Sequence, residues 1–87
     1  MLGDIKEIIG MLMRTIGGAE ISPDEVMALS FDAEGELETA LNAAYIGLLE
    51  FAHDRDARAK NLQLDRRMRA GLQDLLDRLV ALADRQA

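Results

Sequence analysis

The stretch from Glu36 to His53, ELETALNAAYIGLLEFAH, limits the fold of this chain more than any other. Its apolar residues Leu37, Leu41, Ala44, Tyr45, Leu48, Leu49 and Ala52 recur every three or four positions. That is the spacing of one helix face, and no proline interrupts it. The stretch reads as the central helix of the chain.

Two further segments supply such faces. Leu2, Ile5, Ile9, Leu12 and Ile16 form a stripe widened by Ile8 and Met13. Asp4 and Glu7 have capping-box spacing, and Gly17-Gly18 provides a stop, which predicts a helix over residues 4–16. Near the C-terminus, Met68, Leu72, Leu75, Leu79 and Leu82 step by four, three, four and three, flanked by Leu76, Val80 and Ala83. This seam predicts a helix over 65–85 and suits either an intramolecular bundle or a helix pair between subunits. Gly10, Gly47 and Gly71 fall inside predicted helices, where glycine costs about 1 kcal/mol relative to alanine; close helix crossings are the expected compensation.

The most specific local signal is Ile21-Ser22-Pro23-Asp24-Glu25-Val26. Ser22 suits the cap, Pro23 the first helical position, Glu25 the reciprocal half of a capping box, and Ile21 with Val26 a hydrophobic staple. A short helix over 23–29 follows, then a turn through Ser30 to Gly35, with a small hairpin at 32–35 as the alternative. The central helix is expected over 36–58, its charged end at 54–60 continuing as a solvated extension. Asn61 is the best break.

Eighty-seven residues, 49% of them hydrophobic, make one domain, residues 1–87. So short a chain buries only about 60–65% of its unfolded surface, which favours self-association. It contains no cysteine, which removes disulfides, thiolate metal sites and cysteine nucleophiles. Without a signal-peptide pattern or a membrane-length apolar run, the expected location is cytoplasmic, with no membrane partner.

The net charge of −6 argues against general affinity for nucleic acid. Residues 1–54 hold two basic against eleven acidic side chains, net −9, whereas residues 55–87 hold eight against five, net +3. The basic run Arg55, Arg58, Lys60, Arg66, Arg67 and Arg69 therefore has three readings. It is a solvated connector, a weak nucleic-acid site, or a patch that meets the acidic stretch from Glu20 to Glu38, within the chain or between chains.

The central stretch also holds the one tyrosine, Tyr45, and the one histidine, His53. Glu50 and His53 have the Glu-x-x-His spacing of carboxylate-bridged di-metal bundles, and Glu7, Glu36 or Glu38 would have to supply the facing carboxylate. The competing explanation is an exposed Glu50 and a His53 that closes its helix. Ala52-His53 is similar to the histidine phosphotransfer motif in that dipeptide alone, because Asp56 and Ala57 stand where that family has a lysine and a glycine. Acyl carrier proteins attach their prosthetic group to an Asp-Ser-Leu serine; no Asp-Ser occurs here, and Ser22 serves as a cap. Laid on a calcium loop with Gly35 at its sixth position, the acidic run puts Leu41 where a bidentate glutamate is required. No catalytic constellation emerges, and no cofactor is implied.

The expected fold is an all-α small antiparallel bundle of three main helices and one short helix, forming a homodimer. The expected function is a protein-interaction or assembly module of unknown partner. Its contact surfaces would be the stripe at Ile5, Ile9 and Leu12 and the seam at Leu72, Leu75, Leu79 and Leu82. Its rivals are a metal-binding bundle using Glu50 and His53 and a nucleic-acid binder using Arg55 to Arg69.

Overall fold

A computed structural model describes residues 2–86 and the side chains of residues 5–85. Helix α1 spans Leu2–Ile16, α2 Pro23–Met27, α3 Gly35–His53, α4 Arg55–Lys60 and α5 Leu62–Gln86. There is no strand among the described residues, so the hairpin alternative at 32–35 is not realised. The side chains of Leu2 and Asp4 lie outside the described set. Helix α1 already includes Leu2, which puts Asp4 inside the helix rather than at a cap.

Helix α5 sets the long dimension. At 25 residues it is about 37 Å long, against a molecular extent of 40 × 22 × 18 Å. Successive contacts along α3 show that it runs antiparallel to α5. Gly47 faces Leu72 and Leu75, and Glu36 at the start of α3 pairs with Arg85 near the end of α5. Arg69 reaches the C-terminus of α1 with only seven residues of α5 before it, so α1 packs along the rest of α5, also antiparallel. Helices α1 and α3 are therefore parallel to each other. The segment between them must return along α3, and it carries α2, which packs on α3.

The shared core follows from the apolar spacing. Leu37, Ala40, Leu41, Ala44, Leu48, Phe51 and Ala52 are the buried face of α3. Ile5, Ile8, Met11 and Leu12 come from α1, Ile21 and Val26 from the return segment, and Leu72, Leu79 and Leu82 from α5. Each leucine, isoleucine, valine, methionine or phenylalanine among them contributes about 1.5–3 kcal/mol on full burial, and the alanines less. Tyr45 is half-buried, edge-on to Phe31 at 6.3 Å between ring centroids. At Gly47 a Cβ would lie 2.7 Å from Leu75 Cδ1, so the α3–α5 crossing uses that glycine. Gly10 has no such neighbour apart from its own helix's Arg14, and nothing lies within 4 Å of a Cβ at Gly71.

The capping box forms as its sequence requires. Ser22 Oγ accepts from Glu25 N–H at 3.2 Å, and Ser22 N–H donates to Glu25 Oε1 at 3.2 Å. Helix α2 closes at Met27, two residues short of the expected end. The larger departure lies at the end of the central helix. It stops at His53, and Arg55–Lys60 forms a separate turn of helix after Asp54. Asn61 is the expected break: it ends α4, and its Oδ1 accepts from Leu64 N–H at 3.1 Å, so α5 starts at Leu62 rather than 65.

Candidate functional site

The C-termini of α1 and α3 meet the N-terminus of α5 at one end of the bundle. Helix α1 closes in a Schellman arrangement, with Ala19 N–H donating to Arg14 O at 3.0 Å and Gly18 N–H to Thr15 O at 3.2 Å. Gly18 takes φ +117°, a conformation that side chains resist. The last carbonyls of a helix have no partners within it and carry the negative end of its dipole. Two parallel helices thus bring two negative ends together, and two arginines cover them.

Arg69 donates through Nη1 to the carbonyls of Thr15 and Ala19. Arg58 donates through Nε to Phe51 O at 3.1 Å. The carboxylates of Glu20 and Asp65 join the two guanidinium groups. Arg58 bonds Glu20 at 2.8 and 3.2 Å and Asp65 at 2.8 Å, while Arg69 bonds Glu20 at 3.0 Å and Asp65 at 2.9 Å. Both cations lie over the Phe51 ring, Arg58 Cζ at 3.4 Å and Arg69 Cζ at 4.8 Å from its centroid. Only 2% of the Arg58 side chain is exposed. Burial lowers its pKa, but the bonds to Glu20 and Asp65 outweigh that and the net shift is upward. The Arg58 hydrogen bond holds the Glu20 carboxyl below its ordinary range, and the Arg69 and Arg58 bonds do the same for Asp65.

This arginine clasp explains the break after His53. A continuous helix through residue 58 could not turn the Arg58 side chain back onto the Phe51 carbonyl seven residues earlier. Two of the six cations in the basic run, Arg58 and Arg69, meet Glu20 at the head of the acidic stretch within the chain. Arg55, Lys60, Arg66 and Arg67 remain exposed. Beside the clasp, Arg55, Ala59 and Leu62 line an open depression of about 370 Å³ with Glu20, Arg58, Asp65 and Arg69. Its two carboxylates are held ionised by its own arginines, and all five N–H groups of Arg69 are engaged. Such an arrangement locks helix ends and offers no poised base or nucleophile.

A second depression, of about 340 Å³, runs between α3 and α5 and is lined by Gly47, Glu50, Met68, Gly71, Leu72 and Leu75. It is largely apolar, with Glu50 on its rim. Glu50 and His53 are both exposed. No group of three or more His, Asp or Glu side chains that could hold a metal ion occurs among the described residues. Glu36, one of the three carboxylates that could complete a di-metal site, pairs instead with Arg85 at 4.0 Å.

Of the residues expected at contact surfaces, Ile5, Leu12, Leu72, Leu79 and Leu82 are buried in the chain's own core, while Ile9 and Leu75 are half-buried. The sequence signal for the clasp was present only as a charge division. Nothing in six closely spaced cations distinguishes Arg58 as the one that enters the core. No protein-family model, curated protein or solved structure matches the chain. No helix among the described residues is long and apolar enough to cross a membrane.

Proposed function

We propose that this chain is a small helical protein-interaction or assembly module that works as a homodimer. The observation that carries the reading is the apolar depression between α3 and α5, which the chain's own side chains leave unfilled. Leu75 and Met68 keep part of their surface in contact with water there, and Gly71 is exposed. Among the described residues no buried side-chain polar atom lacks a partner, so no unmet polar group accounts for the recess. An unfilled apolar recess beside a core whose buried polar side-chain atoms are all partnered supports a surface that another chain completes. Of the contact residues expected from sequence, Leu75 and Ile9 retain accessible surface, and Leu75 lines this recess, so the proposed face is the α3-side flank of the seam.

Sedimentation equilibrium of the untagged chain tests this reading. The expected result is a reversible dimer with twice the chain mass. A well-folded monomer at high protein concentration would sink the homodimer.

A further inference from the structure

We infer that the second copy docks through an antiparallel crossing of the two α5 helices centred on Gly71. This rests on the homodimer reading above and adds its geometry. Gly71 sits in the middle of a 25-residue helix, where alanine would be more stable. Nothing lies within 4 Å of the position its Cβ would take, so the chain's own fold does not need a glycine there. Gly47, across the same recess, is occupied by Leu75 at 2.7 Å and has its explanation within the chain. Gly71 has none, and a backbone approaching from outside supplies one.

The occupant follows from the pattern on either side of Gly71. Three residues before it is Met68 and four after it is Leu75, both lining the recess. Four before it is Arg67 and three after it is Asp74, both exposed and neither in an ion pair among the described residues. A two-fold axis at Gly71 reverses the helix direction. It lays Met68 of one copy beside the partner's Leu75 and Arg67 beside the partner's Asp74, and repeats both pairs by symmetry. One stretch thus supplies both halves of an apolar contact and both signs of a charge pair. That self-complementarity favours a second copy over an unrelated helix.

The test uses the full chain and three substitutions. Gly71→Ala fits the monomer, so its thermal midpoint at low concentration stays level or rises, while the dimer dissociation constant weakens at least tenfold. Arg67→Asp and Asp74→Arg each weaken the dimer several-fold, and the double exchange restores it. A wild-type dimer indifferent to Gly71→Ala and to both exchanges overturns this geometry and leaves the homodimer standing. A wild-type chain that remains monomeric throughout overturns both.

Discussion

Where α1 and α3 finish, two arginines cover carbonyls from both helices and are joined to each other by two carboxylates, with Arg58 withdrawn almost completely from water. Where α3 begins, its polar link to α5 among the described residues is Arg85 to Glu36 at 4.0 Å, with side chains 70% and 74% exposed. The helix directions account for the contrast. At the open end the positive poles of α1 and α3 meet the negative pole of α5, and Glu36 and Glu38 in the first turn of α3 add favourable charge. At the clasped end two negative poles face one positive pole, and neutralising the excess takes cations close to the backbone. Parallel helices therefore determine where this fold needs buried charge.

Removing Arg58 should break the contrast most severely. Arg58→Ala leaves Glu20 and Asp65 short of a partner, frees the Phe51 carbonyl and opens a void, and should cost about 3–5 kcal/mol in urea denaturation. Arg58→Lys should recover only part of this, because an ammonium cannot fork between two carboxylates while covering a carbonyl. A loss below about 1 kcal/mol for alanine would mean that the clasp adds little beyond the apolar core.

Acid should open the same end by a smaller step. Glu20 and Asp65 have pKa values lowered by folding. Their contribution to stability is complete above the unfolded carboxyl range and is lost as pH falls through the folded values, while Arg58 stays charged. Thermal midpoints should therefore fall on acidification, and Glu20→Gln should flatten that slope. An unchanged slope in the variant would assign the acid sensitivity to other carboxylates.

The smallest effect belongs to the open end. Arg85→Ala should change stability by no more than about 0.5 kcal/mol, since an exposed pair at this distance is heavily screened. A larger loss in the same denaturation assay would show that the ends are more alike than their geometry implies.

What the sequence revealed was mainly what short-range chemistry decides. Ser22 to Glu25 specifies its own cap within four residues, and Asn61 marks a break because its side chain serves the next helix start. The three apolar stripes identified the helices and most of the buried face of α3, but Ala40 and Phe51 complete that face, while Tyr45 and Leu49 are only half-buried. The break at Asp54 was hidden because Asp54 to Lys60 has no proline or glycine and good helical propensity. It is imposed by a side chain seeking a carbonyl and two distant carboxylates. Of the candidate recess, Gly47 and Gly71 were legible as misplaced glycines, but tertiary packing alone separates the one the fold uses from the one it leaves open.

The clasp also has a consequence for the order in which the chain acquires structure. Its partners lie 38 residues apart for Arg58 and Glu20, and 54 for Arg69 and Thr15. Closing contacts of such separation costs more chain entropy than the clasp's local bonds from Arg58 to Phe51 and Asp65, seven residues away, so their late formation is the expected outcome. Substitutions in the clasp should then chiefly accelerate unfolding and leave the folding limb of a chevron nearly unmoved. A chevron of that shape would make the same four side chains a kinetic latch, setting how long the native bundle lasts more than how fast it arises.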